Sequence, residues 1–226
     1  METEKPIHEN EEHQDDPTIY NTFLDSRPET MEIDAIDLLT SLQRENHPLR
    51  CHIVHLSAAS ALPLIRDAKA SGSRLTVETC YHYLMLSSAI IPDAHPEYKC
   101  CPPIRTEANR DALWDALLDG TIDCVVSDHS PCVSELKRLE DGDIMRAWGG
   151  ISSLGLGLNL LWNESRKRNF GIHEIVKWTS ENTSRLASVD QRKGFIKTGW
   201  DADFVIFDPN GTLTVRCLSF LWYCLC

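Results

Sequence analysis

No apolar stretch follows Met1; the chain opens instead on acidic residues, so nothing at its start reads as a secretory leader. Nine cysteines are present, yet no two are spaced Cys-x-x-Cys, which argues against a zinc knuckle. Long hydrophobic runs are missing too. The apolar stretch Cys217 to Cys226 is far shorter than a bilayer-spanning helix, so no membrane partner is expected. Basic residues are scarce: 22 Lys and Arg stand against 34 Asp and Glu, a net charge of −12. That balance excludes a nucleic-acid backbone as partner, because phosphate binding needs clustered cations. There is no internal repeat and no low-complexity tract.

What remains is a chain of 226 residues, 42% apolar, enough for one globular domain or one domain and a fragment. Its charge is uneven. The first 50 residues hold 13 acidic and 4 basic side chains, so most of the negative charge lies there. Residues 1–25, without apolar periodicity, read as a solvated, disordered lead-in. Cys51, Cys80 and Cys124 stand in or beside apolar runs, where a free thiol behaves as a small hydrophobe. A reducing, cytoplasmic setting is the simplest reading.

Apolar spacing predicts a helix over 28–45, with Ala35, Leu38, Leu39 and Leu42 on one face. A strand over 51–56 follows. Ser60 is then placed to cap a helix to Ala70, with Pro63 in its permissive first turn and Gly72 stopping it. Further strands are predicted over 75–78 and 124–127, and helices over 83–90, 109–118, 151–162 and 172–179, the 151–162 helix buried all round. Residues 92–107 read as a Pro-rich loop. Strands alternating with helices make this an α/β chain with a parallel sheet. After Lys193 the texture changes, and Ala202 to Asp208 reads as β-strand. The expected organisation is a lead-in over 1–25, an α/β portion over 26–190, and an incomplete β element over 191–226.

Three strand ends carry chemistry. His55 closes the first strand, His82 lies just past the second, and Asp128 follows the third in Val126-Ser-Asp-His-Ser-Pro131. In an α/β barrel, catalytic groups sit at the C-terminal ends of strands. Two imidazoles and a carboxylate suit zinc or a similar divalent ion. Such an ion lowers the pKa of bound water, and a carboxylate touching that water serves as base. Singly, each residue has a plainer role: a satisfied polar residue at a strand end, or an aspartate capping the next turn.

The chain resembles the cyclic amidohydrolases, the family of allantoinase, dihydropyrimidinase, hydantoinase and dihydroorotase. The similar stretches are Cys51-His-Ile-Val-His-Leu-Ser57, Glu78-Thr-Cys-Tyr-His-Tyr-Leu84, Tyr98-Lys-Cys-Cys-Pro-Pro-Ile-Arg105, Gly120-Thr-Ile-Asp-Cys-Val-Val-Ser-Asp-His-Ser-Pro131, Ala147-Trp-Gly-Gly-Ile151 and Gly199-Trp-Asp-Ala-Asp-Phe-Val205. The third and fourth favour the allantoinase branch. The resemblance runs from about residue 20 to 214 and implies the C-terminal portion of a (β/α)8 TIM-like barrel with part of a small β-sandwich. It further implies a binuclear zinc-type centre that opens the cyclic amide of allantoin to allantoate. By position, His55 and His82 resemble the two histidines of one metal. Asp128 resembles the aspartate that ligates the other and acts as base. Cys101, and Trp148-Gly149-Gly150 opposite it, resemble the segments that grip the substrate ring through backbone groups.

The family also uses a His-x-His pair and a carbamylated lysine. No two of the nine histidines here stand two apart, and the only lysine before the first strand is Lys5, in the acidic arm. The expected chain is therefore the C-terminal half of such an enzyme, with a truncated end after Val215 and an incomplete ligand set. Open sheet edges on half a barrel predict a marginally stable or homo-oligomeric chain. Two alternatives stand beside the hydrolase: a catalytically dead fragment binding a partner half-barrel, and a dihydropyrimidinase-like hydrolase.

Overall fold

The computed structural model describes residues 16–212 and Thr214. The first fifteen residues of the acidic arm and the Cys217–Cys226 segment lie outside the described residues. The end of the predicted disordered lead-in is ordered: Tyr20–Asp25 forms helix α1, with Tyr20 and Phe23 buried in the main core. Two aromatics three residues apart occupy one helical face and meet edge to face at 5.9 Å. Tyr20 Oη donates to the Ile104 carbonyl at 3.1 Å and accepts from the Ile104 N–H at 2.8 Å.

Helix α2 spans Glu29–Glu45. Its buried face is not the predicted one. Ile36, Thr40 and Gln43 point inward, whereas Ala35, Leu38 and Leu42 are exposed. Polar anchors decide the rotation. Glu32 accepts the Ser57 N–H at 2.7 Å and the Ala58 N–H at 3.1 Å, and Gln43 donates to the Leu49 carbonyl. These bonds need that face of the helix inward, although the opposite one is the more apolar.

Three parallel strands form the sheet among the described residues, in the order β1 (Cys51–Ile53), β2 (Leu75–Cys80), β3 (Cys124–Val126). The central strand divides its length: Leu75 to Val77 pair with β1, and Glu78 to Cys80 pair with β3. This stagger is what a tilted barrel sheet produces. Helix α3 (Leu62–Ala70) crosses from β1 to β2. It starts at Leu62 behind a 3₁₀ turn, and Ser60, the predicted cap, instead donates its hydroxyl to Glu29. Helices α4 (Tyr81–Met85) and α5 (Glu107–Leu118) link β2 to β3, and the Thr106 hydroxyl caps α5 through the Asn109 N–H. A four-residue helix, α6 (Ser134–Lys137), follows β3.

The helix predicted over 151–162 begins later, as α7 (Gly157–Lys167), and is amphipathic: Leu161 is buried and Leu160 exposed. Ile151 is drawn away into a parallel bridge with His129, extending the sheet by one pairing. Helix α8 (Ile172–Val176) widens into a π turn at Lys177–Glu181 and continues as α9 (Asn182–Leu186). Trp178 of that turn packs edge to face against Trp114 and Phe170, and the indole N–H groups of Trp114 and Trp178 donate to the Leu84 and Leu117 carbonyls. The core is thus closed by aromatics whose polar tips are satisfied.

The β-strands expected after Lys193 are not formed among the described residues. Residues 201–208 have no regular secondary structure and are largely exposed, with Ile206 at 99%. A strand needs a neighbouring edge for its N–H and C=O groups, and no described segment offers one here.

Candidate active site

The C-terminal ends of the three strands converge. After β1 the chain turns through His55 at φ 41°, and after β3 through Asp128 at φ 44°. A left-handed backbone at two non-glycine residues stores strain, which folds tolerate mainly at functional sites. The turn after His55 is clamped from both sides. Glu32 takes two of its amides; Asn109 accepts the Ala59 N–H and donates to the Ser57 carbonyl.

Of the three predicted ligands, the structure brings two together and adds a third. Donor atoms of Cys80, His82 and Asp128 all lie within 4.8 Å of one another, with the cysteine and histidine buried. His55 is near enough for its charge to bear on His82, but it is not part of that group. His82 is 4% exposed, and neither ring nitrogen has a hydrogen-bond partner. Burial, reinforced by His55, lowers its pKa to about 3, so it is neutral at pH 7 with a free lone pair. An unpartnered, neutral imidazole beside a carboxylate and a thiol is costly as plain packing and well suited to a divalent ion. The residues present therefore fit a metal. Burial raises the pKa of Cys80 well above the ordinary thiol range, so without an ion it stays protonated.

His129, next to Asp128, is occupied elsewhere. Its Nδ1 accepts the N–H groups of Ser153 and Leu154 at 3.1 and 3.2 Å. It ties the turn after β3 to the segment beyond Gly150.

The predicted substrate-gripping segments also meet. A Cβ on Gly149 would stand 2.8 Å from Cys101 Sγ, and one on Gly150 would stand 2.5 Å from the Ser130 carbonyl oxygen. Only glycine permits both approaches. The Gly150 N–H donates to the Lys99 carbonyl at 3.0 Å, and Cys101 and Trp148 remain exposed. Tyr83 Oη and Ser57 Oγ donate to the Pro102 and Pro103 carbonyls, fixing the loop that carries Cys101.

Sequence reasoning missed two residues here. Lys137 is buried, and its ammonium donates to the carbonyls of Lys99, Trp148 and Gly150 at 2.9, 2.9 and 2.6 Å. It pins the segment before Cys101 and the Trp148-Gly149-Gly150 turn to one point. Burial lowers its pKa to about 8, which leaves it mainly charged at neutral pH. No sequence signal marks it, because its partners are carbonyls of distant residues. Cys80 did carry a signal: two residues before His82 at a strand end, it read as core alone.

The amidohydrolase family matches residues 8–221, nearly the whole sequence. The chain belongs to the amidohydrolase family. Amidohydrolases are metal-dependent, in keeping with the converging donors. The chain is 51% identical to the allantoinase of Saccharomyces cerevisiae over 191 residues, which is 84% of this chain and 41% of that protein. It is 48% identical to the mitochondrial allantoinase of Aquarana catesbeiana, covering 92% of this chain and 42% of that one. Among solved structures it is similar to the L-hydantoinase of Arthrobacter aurescens, with a TM-score of 0.76 and 28% identity over 82% of this chain and 41% of that one. It is also similar to the D-hydantoinase of a Thermus species, with a TM-score of 0.71 and 31% identity over 79% of this chain and 40% of that one. The chain thus spans about two fifths of the length of these relatives. These amidohydrolase likenesses identify the parallel sheet and its helices as part of a TIM-type barrel. No described helix is long and apolar enough to cross a membrane.

Proposed function

We propose that this chain carries part of an allantoinase active site, which hydrolyses the cyclic amide of allantoin to allantoate. The observation that carries this reading is the convergence of His82 and Asp128 at strand ends, in a chain about half identical to allantoinases. We take zinc as the ion, on the strength of its mixed donor set. Bound there, the ion supplies a water of lowered pKa and polarises the scissile carbonyl. Asp128 would help hold the ion, and its carboxylate would act as general base toward the attacking water. His55, at the adjoining strand end and near enough for its charge to bear on His82, completes the ligand set with His82 and Asp128. Cys101, Trp148, Gly149 and Gly150 line the ring-binding side, where Lys137 holds the backbone groups that orient the small-molecule substrate.

In this reading residues 26–190 are the barrel portion. A reducing cytoplasm is the proposed compartment, supported by the free cysteines of the described chain. A homo-oligomer is supported by the exposed Leu38 and Leu42 on α2.

One feature favours a second reading, an inactive module. The sequence has no His-x-His pair and no lysine placed to bridge two metals. Elemental analysis beside an allantoin assay separates the two. Metal with turnover is expected for the hydrolase; metal without turnover on any cyclic amide rejects it. Hydantoinase-like structural neighbours motivate a further arm, in which faster turnover of dihydrouracil than of allantoin assigns the site to a dihydropyrimidinase-like enzyme.

A further inference from the structure

We infer that the exposed apolar stripe of α2 is the surface through which two copies of this chain pair, helix against helix and antiparallel. The inference rests on the homo-oligomer proposed above, to which it gives an interface and a direction, and it is independent of the hydrolase reading.

Anchoring of Glu32 and Gln43 turns the other side of α2 outward, so that Met31, Ala35, Leu38 and Leu42 face solvent, Leu38 at 61% exposure. Single exposed leucines are ordinary on a soluble protein. Four apolar residues at steps of four, three and four are not scattered. They form one stripe along about three turns, with the spacing by which one helix meets another. With 17 residues, α2 is about 25 Å long and offers the stripe without interruption.

The stripe is complementary to itself. In an antiparallel pair with the two-fold axis between Ala35 and Leu38, each Leu38 meets the small Ala35 of the other copy, and each Met31 meets its Leu42. One register satisfies both contacts, because the two pairs are centred on the same point of the helix. Such a contact is isologous and closes at two copies. Charge sets the direction. Arg27, just before the helix, and Glu45, its last residue, are exposed, and neither has an ion-pair partner among the described residues. Antiparallel packing places each Arg27 near Glu45 of the other copy; parallel packing would stack like on like. Exposed pairs add little affinity, which comes from the apolar seam, but they discriminate against the wrong orientation.

The test uses the full-length, reduced chain. Sedimentation equilibrium across a concentration series should show reversible exchange between monomer and dimer, as a small helix-on-helix interface implies. Leu38→Glu should raise the dimer dissociation constant about tenfold or more. Because Leu38 is exposed, this variant should keep the urea midpoint and far-ultraviolet spectrum of the parent. Arg27→Glu and Glu45→Arg should each weaken the dimer severalfold, and the double variant should recover it. Ile206→Asp should leave the dimer and remove only larger species. A dimer unmoved by Leu38→Glu puts the association on another face, which overturns the α2 assignment and leaves the homo-oligomer standing. A double charge variant as weak as the single ones overturns the antiparallel direction. A chain that stays monomeric throughout the series overturns both the interface and the oligomer.

Discussion

Cys124-Val125-Val126 and Phe204-Val205-Ile206-Phe207 are equally strand-like in sequence, yet only the first is a strand. Val125 is 2% exposed, paired to Thr79 and covered by helices; Ile206 stands almost wholly in solvent. Side-chain preference is the same in the two segments. What differs is a neighbouring edge and an apolar layer above it. β-propensity is a statement about fitting a half-buried pleated surface, and where that surface is lacking the propensity has nothing to act on. The same contrast locates the chemistry, since only paired strands bring their C-terminal ends, and hence Cys80, His82 and Asp128, to one place.

The largest effect should come from breaking the paired strand. Val125→Asp buries an unpaired carboxylate and should cost about 4 kcal/mol or more, enough to unfold the chain in a urea titration. A folded, cooperative variant would show that β3 is as dispensable as the segment near Ile206. Next is Lys137→Met, which strips three carbonyls, two of them in buried bonds, of their shared donor. It should cost about 3 kcal/mol and, in an active preparation, raise KM for the cyclic amide more than it lowers kcat. An unchanged KM would reduce Lys137 to a packing role.

Tyr20→Phe should cost about 1 to 2 kcal/mol, because the Ile104 amide and carbonyl lose their partner. Burial raises the Tyr20 pKa above its ordinary 10.0. Its folded pKa therefore exceeds its unfolded one, and the stability it contributes is present below pH 10 and lost as pH rises beyond. The alkaline loss of stability should be shallower in Tyr20→Phe; parallel curves for the two proteins would refute the assignment. Smallest is Ile206→Asp, within about 0.5 kcal/mol. Sedimentation should show less self-association, because an exposed apolar segment with unpaired backbone invites partners. A cost near that of Val125→Asp would reveal a packed neighbour for this segment.

Much of this was legible in sequence. Strand-helix alternation and the three strand ends follow from local pattern and family resemblance, because strand ends are local features; the close contact of Gly149 with Cys101 does not. The buried face of α2 was not legible. The more apolar stripe faces solvent because Glu32 and Gln43 find amide and carbonyl partners in the loops on either side of β1. The ordering of Tyr20–Asp25 was hidden for the same reason: Tyr20 is fixed by Ile104, 84 residues away.

The candidate centre divides along that line. Sequence alone determined that His82 and Asp128 stand past strand ends, that His-x-His is absent, and that the chain is an α/β amidohydrolase segment. Only the tertiary structure decided that Cys80 lies beside them, that Lys137 ties the Lys99 carbonyl to those of Trp148 and Gly150, and that Phe204 to Phe207 stays unpaired. Periodicity is a property of neighbours along the chain, whereas convergence of donors, satisfaction of a buried ammonium and pairing of an edge depend on residues that only folding brings within a few ångströms.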